Sequence, residues 1–162
     1  MIIPFSKIDR SSRVWIYQSN RKFTDDELTD IKQSLTVFLS DWTAHGAQLQ
    51  TSFQIKYNRF IIVALNESSN EASGCSIDKC VHFIQEIESK YNVILLDKMN
   101  VSFKQGEFVT YKSINEFKDL VKNKSVSKKT IVFNNLVLDI DDFIKNWEVP
   151  AEKSWHARFF NG

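Results

Sequence analysis

Phe60-Ile61-Ile62-Val63-Ala64-Leu65 is a run of apolar residues with no polar interruption. A strand covered on one face alternates apolar with polar residues, because successive side chains point to opposite sides. An unbroken run therefore predicts a central strand covered on both faces. Just before it, Phe53, Ile55 and Tyr57 alternate with polar neighbours, the pattern of an edge or half-exposed strand. Asn58-Arg59 turns the chain between the two, since Asn tolerates positive φ.

Upstream, Val14-Trp15-Ile16-Tyr17 reads as a first strand. Thr24-Asp25-Asp26-Glu27 is a capping box, and Leu28, Ile31, Leu35, Phe38, Leu39 and Trp42 follow at helical spacing. Gly46 stands where a C-cap glycine belongs, and His45 is placed to meet the negative end of the helix dipole. Downstream, a second helix begins near Ser76 and buries Ile77, Val81, Ile84 and Ile87, with Cys80 and Tyr91 beside that stripe. Val93-Ile94-Leu95-Leu96 reads as another buried strand.

The order β-α-β-β-α-β predicts an α+β fold with a ferredoxin-like split βαβ core, an antiparallel sheet carrying two helices on one face. The rest is an extra C-terminal hairpin and helix extension within a single domain, residues 1–162. Val101 to Phe103 and Phe108 to Tyr111 flank Gln105-Gly106 as a hairpin, and Ser113 to Glu116 repeats the capping box. Ile131-Val132-Phe133 is a late strand. Asp139 caps a last helix carrying Phe143, Ile144 and Trp147, which Pro150 ends, and the apolar tail Trp155 to Phe160 is expected to dock.

The composition fits a folded domain, with 43% hydrophobic and 25% charged residues in 162. Thirteen Phe, four Trp and four Tyr exceed ordinary usage; they fill a core, or else line a pocket or a homodimer interface. A net charge of +1 points away from nucleic acid and from anionic membrane surfaces. The lysines of Lys122 to Lys129 read as a solvated loop. No apolar stretch reaches the roughly 18 residues of a spanning helix, so no membrane insertion is expected. Met1-Ile2-Ile3-Pro4-Phe5 lacks the features of a signal peptide, which makes the expected location cytoplasmic.

With glycines only at 46, 74, 106 and 162, neither a phosphate-binding GxxxxGK[ST] loop nor a GxGxxG fingerprint exists. Cys75 and Cys80, five apart on one helix, cannot pair with each other. The suggestive segment is Ser73-Gly74-Cys75-Ser76-Ile77-Asp78-Lys79, small residues leading into a helix. A thiol there feels the positive end of the dipole. Cys75 as nucleophile, His82 as base and Asp78 as orienter make a thiol-dependent enzyme one reading. A small anionic ligand held at the helix start, with Ser76, is the other, and plain capping by Ser76 and Asp78 accounts for the same residues. Arg13, Gln18 and Arg21 flank the first strand and are candidates to meet an anion; Asn134, Asn135 and His156 are further ligand-binding candidates. His45, His82 and His156 lack the spacing of a metal site, and the sequence leaves any cofactor unidentified.

Five stretches, Ser12 to Arg21, Trp42 to Gly46, Ser73 to Lys79, Val132 to Val137 and Ser154 to Phe160, together resemble a family of small bacterial proteins whose members often carry the label "ABC transporter ATPase". The label implies ATP hydrolysis, which this chain lacks the loop to perform. The resemblance marks Arg13, Gln18, Arg21, His45, Cys75, Asp78, Asn134, Asn135, Trp155 and His156 as residues that form a site if they converge.

Overall fold

The computed structural model describes residues 1–68 and 70–161. Two compact units make up the described chain: Met1–Leu96 with Leu138–Asp141, and Asp97–Val137 with Asp142–Gly162. Together they give a mixed α+β architecture with antiparallel sheets.

In the first unit, β1 (Arg13–Gln18), β5 (Phe60–Asn66) and β4 (Gln50–Lys56) form an antiparallel sheet in the order β1-β5-β4. Every residue from Phe60 to Leu65 is 0% exposed, as the central apolar run requires. Tyr57 (φ 55°) and Asn58 (φ 54°) turn β4 into β5, and the N–H of Arg59 closes the turn on the carbonyl of Lys56 at 3.1 Å.

The register puts Trp15, Tyr17, Ile61, Val63 and Leu65 on one face. That face packs into one core with Leu28, Ile31, Leu35 and Leu39 of α1 (Asp25–Asp41) and Cys80, Ile84 and Ile87 of α2 (Gly74–Tyr91). Cys80 thus lies on the buried stripe of α2, not beside it. At about 1.5–3 kcal/mol for each large apolar side chain, burial of this face dominates the unit's stability.

Two local expectations, for Gly46 and His45, differ from the structure. Gly46 does not cap α1, whose C-cap is Trp42. His45 (φ 54°) and Gly46 (φ 78°) instead form the turn between β2 (Thr43–Ala44) and β3 (Ala47–Gln48), where two successive positive φ angles are needed. Helix α2 begins before Ser76, with Ser73 as N-cap and Ser76 at its third position.

Residues 93–96 form no strand. Val93 and Leu95 are buried, but the N–H groups of Leu95 and Leu96 donate to the Glu88 carboxylate (2.7 and 3.0 Å) and that of Ile94 to Asn20 Oδ1 (2.9 Å). Side chains satisfy this backbone, so the last strand of the β-α-β-β-α-β order is absent.

The second unit has its own antiparallel sheet in the order β7-β6-β8-β9, from β7 (Phe108–Ser113), β6 (Asn100–Gln105), β8 (Ile131–Phe133) and β9 (Glu148–Pro150). Gly106 (φ 62°) turns the expected hairpin, and Ser113 caps α3 (Ile114–Lys122). Helix α4 (Ile140–Asn146) ends before Pro150 is reached; Pro150 lies opposite Ile131 in β9, the end strand of the sheet, where a missing N–H is tolerated. The tail docks. Trp155, Phe159 and Phe160 pack against a cluster of Val101, Phe103, Phe117, Val126, Val132 and Ala151.

Candidate functional site

The candidates lie on or beside β1, on α2 and in the second unit, and of those on β1 only Arg13 comes near the α2 start, through Glu67. There Ser73 Oγ accepts from the N–H of Ser76 (3.0 Å), and Ser76 Oγ accepts from the N–H of Ser73 (2.7 Å). This reciprocal cap leaves the N–H groups of Gly74 and Cys75, the first two helical positions, outside it. A Cβ added at Gly74 meets nothing within 4 Å, so no other part of the described chain packs on that side of the residue. Cys75 is exposed. The indole Nε1 of Trp42 donates to the Ser76 carbonyl at 2.8 Å, tying this turn to the core.

A carboxylate of the chain itself reaches this corner. Glu67 Oε2 accepts from the N–H of Ala72, one residue ahead of the N-cap, at 3.0 Å. Its Oε1 stands 4.0 Å from Arg13 Nη1, and the Arg13 guanidinium lies 4.6 Å above the Trp15 ring. Arg13, Glu67 and the residue ahead of the α2 N-cap therefore form one polar cluster, in which a cation and one backbone N–H, that of Ala72, flank a carboxylate.

The remaining candidates stand elsewhere. His82 lies seven residues beyond Cys75 on the same helix, about 10 Å along its axis. It makes no hydrogen bond or ion pair with Asp78 among the described residues. Ser76 is 2% exposed, so its hydroxyl belongs to the cap and not to the surface. Gln18, 6% exposed, sits at the far end of β1 from Arg13 and on the other face.

Arg21 is committed to a clamp: its Nη1 and Nη2 donate to Glu27 Oε1 and Oε2 (2.8 and 2.9 Å), and Nη2 also to the Tyr91 carbonyl (2.7 Å). This bidentate contact holds the Glu27 carboxyl down at about 2.

In the second unit, Asn134 and Asn135 build the turn after β8. Asn134 Oδ1 accepts from the N–H of Leu136 at 3.1 Å, and Asn135 Oδ1 accepts from Trp147 Nε1 at 2.8 Å. His156 is 1% exposed, stacked on Trp155 (3.9 Å between ring centres) and beside Ser154 Oγ (2.8 Å from Nδ1). Burial, with Arg158 nearby, pulls its pKa down to about 4. Cys80 is buried against the Tyr17 hydroxyl at 3.7 Å, and burial pushes its thiol up to about 11. The accessible thiol is thus Cys75.

The sequence reading passed over Glu67, Ser73 and Arg59. Ser73 was legible, because Ser at both N-cap and third position is a capping pair. Glu67 becomes part of the site only through folding. No family model, curated protein or solved structure matches the chain, so the functional reading rests on this geometry.

Proposed function

We propose that the chain is a small cytoplasmic binding or protein-interaction domain that takes a small oxyanion, carboxylate or phosphate, at the start of α2. One observation carries the reading: the corner already holds an oxyanion, the Glu67 carboxylate, between Arg13 and the Ala72 N–H. The N–H groups of Gly74 and Cys75 are the further donors an incoming anion would meet. Attraction is local rather than long-range, since this unit carries ten Lys and Arg against thirteen Asp and Glu, a net −3. In fold terms we read the unit as a ferredoxin-like core without its last strand; the antiparallel β1-β5-β4 order with both helices on one face supports this.

Cys75 provides the test, because it lies within the first turn and Cys80 is buried. Phosphate or succinate is expected to slow alkylation of Cys75 saturably, at constant ionic strength. A rate indifferent both to phosphate and to succinate would overturn the proposal.

The second reading, a thiol-dependent enzyme with Cys75 as nucleophile, is favoured by the exposure of that thiol in the first turn of a long helix. The pH profile of the same alkylation decides it: an apparent pKa well below about 8.5 supports a nucleophile, and one at or above that value removes it.

A further inference from the structure

The sheet's other end holds an arginine that the fold does not use. Arg59 opens β5 after the Tyr57-Asn58 turn, and its main chain is fixed on both sides: its N–H donates to Lys56 O (3.1 Å) and its carbonyl accepts from the N–H of Ser19 (2.9 Å). Its side chain is another matter. The residue is 9% exposed, its Nε is sealed from solvent with no partner, and no carboxylate among the described residues lies within ion-pair distance.

A guanidinium does not deprotonate in a protein, so burial cannot be relieved as a buried Lys or His relieves it. A buried charge without a counter-charge is among the least favourable arrangements a fold can hold. Nε is the one guanidinium nitrogen found both sealed and unpartnered, and no hydrogen bond or ion pair of the Nη atoms occurs among the described residues, so that edge of the planar fork is left without a partner. Such a fork matches the paired oxygens of a carboxylate or a phosphate.

We infer that Arg59 anchors a second binding site, at the β4–β5 turn, for a small oxyanion that supplies the counter-charge the chain does not. It is independent of the α2 corner, which uses Arg13 and backbone N–H groups on another part of the unit.

The test is an NMR titration of the Arg59 Nε–H resonance in the full chain, with inorganic phosphate in one arm, succinate in another and chloride at matched ionic strength as control. The proposal expects a saturable shift with phosphate, succinate or both, and none with chloride; the more effective arm identifies phosphate or carboxylate as the ligand chemistry. Read instead from the backbone amides of the β4–β5 turn, Arg59→Lys, which keeps the charge and loses the fork, weakens anion binding about tenfold, while Arg13→Gln leaves the Arg59 response intact. The absence of a saturable shift in the wild-type protein with either anion would overturn the proposal, as would a shift that disappears in Arg13→Gln. The wild-type titration decides the matter even where a variant folds poorly.

Discussion

Arg21 and Arg59 flank Ser19 and are treated in opposite ways. The N–H of Arg21 donates to Ser19 Oγ, and the N–H of Ser19 donates to the Arg59 carbonyl. Arg21, whose side chain is 38% exposed, has three side-chain bonds to Glu27 and the end of α2, whereas the side chain of Arg59, 9% exposed, has no partner among the described residues. Folds usually do the reverse, pairing the buried charge and leaving the wet one loose. His156 in the second unit shows a third treatment: a buried group that sheds its charge by losing its proton. Pairing and deprotonation each settle a charge within the chain. Arg59 has neither, and that contrast points outside the chain for its partner.

The comparison can be broken at each member. The largest effect is expected at His156. The folded protein holds this imidazole neutral down to about pH 4, while in the unfolded chain it protonates near 6.5, so between these values the unfolded state binds more protons. Stability therefore falls as pH drops through that window, by up to about 3 kcal/mol. His156→Gln is expected to remove this part of the slope in urea unfolding measured from pH 7 to 4; an unchanged slope would mean the imidazole is not held neutral.

Next in size is the clamp. Arg21→Ala is expected to cost about 1–2 kcal/mol, a value reduced for its partial exposure. The Glu27 carboxyl lies at about 2 in the folded state and near 4.5 in the unfolded one, so its contribution is complete above 4.5 and disappears as pH falls toward 2. Acid unfolding of Arg21→Ala should lack that component.

Arg59→Met, by contrast, should stabilise the free protein by about 1–2 kcal/mol, because an apolar side chain replaces an unpaired buried cation. The melting temperature then rises by about 2–4 °C for each kcal/mol. A lower melting temperature would give the guanidinium a structural role and erase the contrast with Arg21.

The smallest effect belongs to the α2 corner. Glu67→Gln removes the internal oxyanion and should tighten phosphate protection of Cys75 about two- to fivefold, the scale of an exposed ion pair. Weaker protection would show that Glu67 assists the ligand instead of competing with it.

Much of the fold is legible in short windows of sequence. The Phe60–Leu65 run specifies the central strand, Thr24 with Glu27 and Ser113 with Glu116 specify two helix starts, and Gly106 specifies a hairpin, because each is decided by a few neighbouring residues. The errors arise where distant groups decide. Val93 to Leu96 has a strand's composition, yet Glu88 and Asn20 satisfy its N–H groups and leave no ladder to join. Pro150 reads as a helix stop and serves in an end strand, since nothing local separates the two uses.

The site divides the same way. Cys75 and the helix start follow from spacing, while the junction of Arg13 with Glu67 needs the chain to fold. Arg59 did carry a signal: an arginine directly ahead of a fully apolar strand is carried toward the interior with it. Reading Asn58-Arg59 only as a turn concealed this.

The most direct test of the binding account is the amide spectrum of the wild-type protein during separate titrations with phosphate and with succinate at constant ionic strength. The account predicts saturable shifts confined to two places, the Ala72 to Cys75 amides at the start of α2 and the β4–β5 turn around Arg59. Shifts that grow linearly and spread over the surface, with no saturation at either place, would contradict it.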